Sequence, residues 1–308
     1  MSRLKLAAAL AAASALGSQL ALAPSAFAHV IVGARVFPVT LTFDDPGVAD
    51  EATLPQFVWQ RDAGPQNTYQ LQWEFDKTIT PTTALIYNHG YDWFQQSGSK
   101  ARSGLENVFI TGKWQAFTNA EHEFVVSLGV IYEFGGTQAT QNIGGDAYGG
   151  TSPTLYFGKG LGDLPIGFLR PLAVTGELNY NIPDRRLNSA LDNNGNPNSL
   201  NGALSIQYSI PYLQSQVKDL GLPDFFGRLV PLVESTWFTP TAAPAGGVPS
   251  TWTISPGVIY MADGFQVGIE ALIPANRQSG HNVGVIAQVH FFFDDLFPGS
   301  FLGKPIFP

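Results

Sequence analysis

The feature that most constrains this chain is an alternation of apolar and polar residues, repeated in segments about as long as a bilayer is thick. The segment from Tyr69 to Asp76, YQLQWEFD, has an aromatic residue or leucine at every second position, with a glutamine or an acid after each. Successive side chains of a strand point to opposite faces of its sheet, so this pattern predicts a strand with one apolar and one wet face. The pattern recurs from Phe124 to Phe134 and along most of the remaining chain.

The connections between these segments alternate between long and short. Bacterial outer-membrane barrels have short periplasmic turns and longer external loops, so this order places the end of the last strand in the periplasm. If the short turn after the Tyr69 strand is periplasmic, that strand runs from the outside to the periplasm. A chain that starts in the periplasm then needs one earlier strand that runs outward, and Thr53–Gln60 is the best candidate. We therefore predict an all-β chain that forms a single closed antiparallel transmembrane β-barrel of about twelve strands, with about ten or fourteen as alternatives. The predicted strands are Thr53–Gln60, Tyr69–Asp76, Leu85–Tyr91, Leu105–Ala116, Phe124–Phe134, Thr154–Gly158, Leu172–Tyr180, Leu204–Ile210, Arg228–Phe238, Trp252–Tyr260, Phe265–Ile273 and Asn282–Phe293.

The beginning of the chain has the pattern of a Sec signal peptide. Arg3 and Lys5 supply positive charge, Leu6–Leu22 is apolar, and Ala26–Ala28 provides a small-x-small cleavage site. No later stretch approaches the ~20 unbroken apolar residues of a membrane helix, so any later membrane crossing requires a closed sheet. The expected divisions are a signal peptide at 1–28, a periplasmic or lumenal segment at 29–52, the barrel at 53–295 and a periplasmic tail at 296–308.

Composition excludes several classes of protein. The formal net charge of −8 becomes −10 once Arg3 and Lys5 are removed, and no run of basic residues exists, so we expect no nucleic-acid partner. The chain has no cysteine, which excludes disulfides, thiolate zinc sites and cysteine nucleophiles. Only 13% of the residues are charged, against ~25% in an average soluble domain, as is typical of a protein whose outer surface faces lipid.

Alternation alone does not say which face of the sheet is outside, because a soluble barrel of the lipocalin kind has an apolar interior. Here large rings on the apolar faces lie near strand ends, as in the aromatic girdles of membrane barrels, and lysine is nearly absent from the strands. Both features favour an apolar exterior and an acidic interior. The predicted lumen-lining residues are Glu74, Glu123, Glu133, Glu177, Glu234 and Glu270.

The end of the chain supports this interpretation by resemblance. The segment Asn282–Phe293, NVGVIAQVHFFF, resembles the terminal strand that the barrel-assembly machinery recognises, although the chain continues beyond it. The signal peptide, the glutamate-bearing strands and the HFFFDDLFP tail together resemble the barrels grouped with the meta-pathway phenol-degradation outer-membrane proteins. The resemblance covers most of the mature chain. It implies a transporter-like barrel of the cell outer membrane, in contact with lipid, lipopolysaccharide, the assembly machinery and small-molecule solutes, and it carries over no catalytic residue.

No residue pattern predicts a catalytic, metal or cofactor site. Ser127 and Ser205 lie on the polar face, but neither has a histidine neighbour, and no G-x-S-x-G elbow is present. Asp44-Asp45 and Asp294-Asp295 are paired carboxylates beside prolines, which we interpret as solvated turns rather than calcium ligands. His29 would begin the mature chain, and copper binding there would need a second histidine, so we interpret it as a leader residue.

The acids on the polar face are the strongest chemical signal. Carboxylates that project into a narrow lumen repel anions and concentrate cations. We therefore expect a porin-like channel for passive passage of small cationic or neutral solutes, including aromatic or hydrophobic ones, and no enzyme activity. Residues 29–52 could plug a barrel of this width. Two alternatives stay open: a structural or surface-interaction barrel that transports nothing and, with less support, an outer-membrane hydrolase.

Overall fold

The computed structural model describes residues 30–61, 66–136, 142–145, 147–185, 197–241 and 248–307. The predicted signal peptide and His29 lie outside these residues. The described backbone forms one large antiparallel sheet and one separate two-stranded hairpin. None of the helices in the described ranges has the length and apolar character needed to cross a membrane.

The elements are mostly long strands joined by turns and short helices. The hairpin consists of β1 (Val30–Val32) and β2 (Arg35–Phe37). The large sheet consists of β3 (Glu51–Arg61), β4 (Gln66–Thr80), β5 (Thr83–Gln96), β6 (Arg102–Leu105), β7 (Val108–Asn119), β8 (Phe124–Phe134), β9 (Gly150–Gly160), β10 (Leu172–Pro183), β11 (Ser199–Tyr208), β12 (Leu229–Pro240), β13 (Thr251–Ala262), β14 (Phe265–Pro274) and β15 (Gly284–Phe292). The short helices are α1 (Ile210–Tyr212), α2 (Asp224–Gly227) and α3 (Phe293–Leu296), with a π turn at Leu213–Val217 and 3₁₀ turns at Gly167–Leu169, Arg277–Ser279 and Phe301–Gly303.

The large sheet closes on itself. β3 pairs with β15 on one side and β4 on the other, and β4 pairs with β5, so the first and last wall strands meet. The sheet has thirteen strands, but β6 only extends β7 along the end of β5. Twelve antiparallel strands therefore form the wall, and the predicted twelve-stranded barrel is confirmed.

One predicted strand is divided. The segment Leu105–Ala116 was expected to be continuous, but β6 ends at Leu105 and β7 begins at Val108. Between them the Glu106 side chain turns into the lumen, where its carboxylate accepts hydrogen bonds from Gln70 and Gln72. The break therefore places an extra carboxylate inside the barrel.

The apolar face of the wall is outside. Val130, Ile206 and Ile269 are each more than half exposed, whereas Ser205 and Glu270, on the opposite face, are buried. A surface of this kind is stable in hydrocarbon and unfavourable in water. The prediction of an apolar exterior and a polar interior is thus confirmed.

Exposed rings lie near both ends of the wall. Trp93, Phe134 and Trp252 are at one end, and Phe117 and Phe265 are at the other. We call the second end the inner rim; it carries the short turns at residues 81–82, 120–123 and 263–264, and the opposite end is the outer rim. Aromatic belts at both edges of an apolar band match the two interfaces of a bilayer. The chain is therefore an outer-membrane β-barrel.

Residues 38–50, here called the lumen segment, follow a U-shaped path inside the barrel. The preceding Phe37 packs against Val125 near the inner rim, at the start of β8. The middle of the segment reaches Glu234 and Glu177 halfway along their strands. At its end the Asp50 carbonyl accepts a hydrogen bond from the α3 backbone, again at the inner rim.

Part of the lumen is apolar. Leu41 of the lumen segment packs in a buried cluster of inward-facing wall residues that includes Val58, Val230, Ile259 and Ile286. We expected a polar interior throughout the barrel, and this prediction is wrong for the wall around Leu41. The physical reason is that these side chains meet the lumen segment instead of water.

The connection between β11 and β12 and the C-terminal tail both lie at the inner rim. The connection contains α1, the π turn and α2. In the tail after α3, the backbone N–H groups of Ile306 and Phe307 donate to the carbonyls of Thr78 and Ile79 at the end of β4. The tail is thus anchored to the wall by backbone hydrogen bonds.

Candidate functional site

The candidate site is the region where the lumen segment crosses the barrel interior. Glu234 is fully buried, and its carboxylate accepts hydrogen bonds from the backbone N–H of Leu41 at 3.1 Å and of Thr42 at 2.8 Å, as well as from the Thr42 hydroxyl. Gln266 uses both ends of its amide on the backbone of Val39. Irregular backbone inside a protein needs such partners, because an unpaired buried N–H or carbonyl is costly. The wall side chains therefore act as substitutes for a neighbouring strand.

A buried lysine holds the tip of the lumen segment. The Lys113 ammonium lies 2.6 Å from the Asp44 carboxylate and donates to the backbone carbonyl of Asp45 at 3.0 Å. It also lies 4.8 Å from the ring centre of Tyr156, within the range of a cation–π contact. The Ser127 hydroxyl donates to the Pro46 carbonyl. These contacts attach the returning arm of the segment to β7 and β8.

A second buried ion pair holds the hairpin at the inner rim. The Arg35 guanidinium is fully buried; it donates to the Glu123 carboxylate at 3.1 Å and to the carbonyls of Arg170 and Pro171. Its planar group lies 3.9 Å from the ring centre of Tyr212, whose hydroxyl donates to Glu123 at 2.7 Å. Burial and the hydrogen bond to Glu123 raise the pKa of Tyr212 to about 12, so its hydroxyl stays a donor. Arg35 is thus satisfied on every side.

The six predicted lumen glutamates fall into different groups. Glu74 and Glu177 lie near the tip of the lumen segment, where Glu177 accepts from the Asp44 backbone and Glu74 accepts from Asn88. Glu234 holds the segment from the other side, and Glu270 lies close to Glu234, with neither of its oxygens accepting a hydrogen bond from the described residues. The structure places Glu123 at the inner-rim turn and Glu133 near the outer rim with Asn107.

Cavities lie towards the two ends of the barrel interior. One, of about 290 Å³, lies between the tip of the segment and the outer rim and is lined by polar groups that include Asp44, Glu74 and Glu177. The other, of about 550 Å³, lies at the inner rim and is lined by residues that include Val36 and Tyr212. Residues of the lumen segment line the outer cavity, and residues of the hairpin line the inner-rim cavity.

Sequence reasoning missed the residues that hold the segment. The interpretation of Asp44-Asp45 as a solvated turn is wrong, because Asp45 is fully buried and its carboxylate accepts from the Gly47 N–H inside the barrel. Its surroundings come from strands far along the chain, so the local pattern of acids and proline did not reveal them. Lys113 carried a usable signal, since it is a lysine at a polar-face position in a chain whose strands have few.

The structure also locates the candidate catalytic groups. The Ser127 hydroxyl donates a hydrogen bond to the Pro46 carbonyl. The buried Ser205 hydroxyl has no hydrogen-bond partner among the described residues. The Nδ1 atom of His290 lies 2.9 Å from the Thr53 hydroxyl, and its Nε2 atom lies 3.1 Å from the Glu51 carboxylate. This order of hydroxyl, imidazole and carboxylate resembles a hydrolase triad. However, His290 and Glu51 are buried where β3 meets β15. This network joins the first and last wall strands.

Comparisons with known proteins concern the barrel shape. No family model and no curated protein matches the chain. The solved structures to which it is similar include the KdgM porin, with a TM-score of 0.47 and 10% identity over 79% of this chain and 99% of that chain. The NanC porin has a TM-score of 0.48 and 10% identity over 78% and 99%. Outer membrane phospholipase A from Escherichia coli has a TM-score of 0.35 and 11% identity over 82% and 99%.

Proposed function

We propose that this barrel is a porin-like channel for small cationic or neutral solutes, closed in this conformation by the lumen segment. The observation that carries the proposal is that the lumen segment crosses the interior and lines the outer cavity of about 290 Å³, while the hairpin before it lines the inner-rim cavity of about 550 Å³. We expect movement of the segment to open a path between these two spaces. The resemblance to the meta-pathway phenol-degradation group, with its transporter-like barrels, is part of this proposal.

The charge around the outer cavity supports passage of cations. Asp44, Glu74, Glu106 and Glu177 all line it, whereas Lys113 is almost completely buried beneath it. Carboxylates on the wall of a narrow space concentrate cations and repel anions. Neutral solutes are not subject to this repulsion.

A reversible cross-link tests whether the segment is the gate. A Cβ atom placed on Gly268 of β14 would lie 2.6 Å from Cδ1 and 3.2 Å from Cγ of Leu41. A cysteine at each position therefore brings two sulfur atoms within bonding reach, because disulfides join Cβ atoms that are ~3.8 Å apart. Since the chain has no cysteine, the Leu41→Cys/Gly268→Cys variant forms no other disulfide.

The measurement is conductance of the refolded mature chain in planar bilayers. We expect the reduced double variant to conduct as the wild type does, and the oxidised variant to conduct much less. The two single variants are the controls and should not respond to oxidation. Equal conductance before and after oxidation would show that the lumen segment is not the gate.

Selectivity is tested in the same bilayers under a salt gradient. We expect a reversal potential of the cation-selective sign, which Glu177→Gln should reduce. Glu121→Gln, in the exposed inner-rim turn, is the control and should leave the potential unchanged. A preference for anions, unchanged by Glu177→Gln, would contradict the proposed selectivity.

One observation favours a second candidate, a structural barrel that transports nothing. Leu41 packs into an apolar cluster with Val230 and Ile259, and a packed cluster resists movement of the segment. This alternative predicts no conductance from the wild type or from the reduced double variant at any voltage.

A further inference from the structure

We propose that Asp44, Glu74 and Asp76 form a binding site for a hard divalent cation that joins the lumen segment to β4. One carboxylate oxygen from each of these residues lies within 4.8 Å of the other two. Oxygen ligands of Ca²⁺ lie ~2.3–2.6 Å from the ion, so oxygens that share one ion are separated by up to about 5 Å. The three carboxylates already have this spacing.

The register of the wall produces this arrangement. Glu74 and Asp76 are two residues apart on β4, so both side chains point into the lumen. Asp44 approaches them from the tip of the lumen segment. A cation held by all three would therefore bind the segment to the wall.

The charge of this region is not balanced by the protein. Asp45 and Glu51 lie close enough to Asp76 and to each other to interact electrostatically, which makes five carboxylates in one region together with Asp44 and Glu74. Among the described residues, Lys113 is the ammonium in contact with them, paired with Asp44, and the His290 imidazole lies 3.1 Å from Glu51. Buried charges are costly unless they are paired or coordinate a metal. A divalent cation would supply the missing positive charge.

Asp76 supplies an independent indication of a ligand. Its side chain is only 6% exposed, and its buried Oδ1 atom has no hydrogen-bond partner. Glu74, by contrast, accepts from Asn88, and Asp44 is paired with Lys113. A buried carboxylate without a partner is rare in proteins, and an ion is one of the groups that explain it. Asp76 is therefore the residue on which the site most depends.

The ligand chemistry selects the type of ion. All three ligands are carboxylate oxygens, which suit Ca²⁺ and Mg²⁺ rather than copper or zinc. Asp44 and Glu74 also line the outer cavity, so water can complete the coordination sphere. His290 is engaged with Thr53 and Glu51 and supplies no ligand.

Calorimetry with CaCl₂ tests this site without any measurement of transport. The mature chain is refolded in detergent without lipopolysaccharide, treated with EDTA and titrated with CaCl₂, with MgCl₂ as a comparison. We expect one saturable Ca²⁺ site per chain, weakened at least about tenfold by Asp76→Asn or Glu74→Gln. Lys113→Gln should strengthen binding, because it removes the competing cation.

Glu133→Gln is the matched control, since Glu133 also faces the lumen but lies with Asn107 near the outer rim. It should bind Ca²⁺ as the wild type does. Ca²⁺ should also raise the unfolding temperature of the wild type and of Glu133→Gln, but not of Asp76→Asn, because a ligand of the folded state stabilises it. Absence of saturable binding to the wild type, or binding left unchanged by Asp76→Asn and Glu74→Gln in folded barrels, would overturn the proposal.

Discussion

The Asp44 carboxylate lies 2.6 Å from the Lys113 ammonium and joins the tip of the lumen segment to β7. Lys113 is only 1% exposed, and the same ammonium donates to the Asp45 carbonyl. A single wall residue thus fixes two consecutive residues of the segment. The stability of the closed lumen depends on contacts of this kind between side chains and an irregular backbone.

Removal of this lysine should destabilise the barrel. In Lys113→Met, Asp44 keeps a buried charge without its partner, so we expect the free energy of urea-induced unfolding to fall by about 3 kcal/mol. Adding Asp44→Asn should restore part of the loss. Lys159→Met, which removes an exposed ion pair with Asp163, is the control and should cost less than about 1 kcal/mol. A wild-type unfolding curve for Lys113→Met would contradict this account.

Replacement of Arg35 should release the hairpin at the inner rim. Arg35→Met leaves the buried Glu123 carboxylate without its cation and the carbonyls of Arg170 and Pro171 without this donor, so we expect a loss of about 3 kcal/mol and chymotrypsin cleavage after Phe37. Arg35→Lys should not rescue it, because an ammonium lacks the planar fork of donors. The comparison is Arg228→Met at the same rim, whose ion pairs are exposed. Protection of Phe37 in Arg35→Met would show that the hairpin is held by other contacts.

A charge on the outer surface should be tolerated only outside the membrane. Val130 is 52% exposed and lies in the middle of β8, so Val130→Arg should destabilise the barrel in lipid vesicles by about 2–4 kcal/mol. Ile166 is 59% exposed in the inner-rim connection before β10, and Ile166→Arg should have little effect. Unfolding in vesicles measures both. Equal stability of the two variants would contradict an apolar band in contact with lipid.

The buried Asp294 side chain, just after the last strand, should make the stability of the barrel depend on pH. Burial raises the pKa of Asp294, in α3, from an ordinary value of 3.8 to about 7. The folded protein therefore holds this proton more tightly than the unfolded chain, so the contribution of Asp294 to stability is largest below pH ~4 and is lost as the pH rises towards ~7. Between about pH 5 and 8, Asp294→Asn should remove a decline on the order of 1–2 kcal/mol. Asp295→Asn is the neighbouring control and should keep most of the decline.

The wall was largely predictable because its pattern is local. β8 has the predicted bounds Phe124–Phe134, since each of its residues meets either lipid or the lumen and the two faces alternate without interruption. The strand Thr53–Gln60 was predicted from the alternation of long and short connections, and in the structure it is only slightly longer, Glu51–Arg61. The predicted strand Leu105–Ala116 was less accurate, because no periodic pattern in the sequence indicates that the strand is interrupted at Glu106.

The contents of the lumen were not predictable in the same way. The segment around Asp44 has no strand or helix period, and its partner Lys113 is far along the chain. Val230 and Ile259 are apolar residues at inward positions, where they pack with Leu41 instead of facing water. These contacts exist only after the barrel has closed, so they follow from tertiary packing rather than from any local pattern.

The path of the lumen segment also bears on biogenesis. Because the segment enters and leaves at the same rim, it can be inserted as a loop into a finished cylinder, and no chain terminus has to be threaded through a ring. The wall can therefore assemble first, and the lumen segment can enter it last. In that order, a newly inserted barrel would let solutes pass until the lumen segment binds inside it.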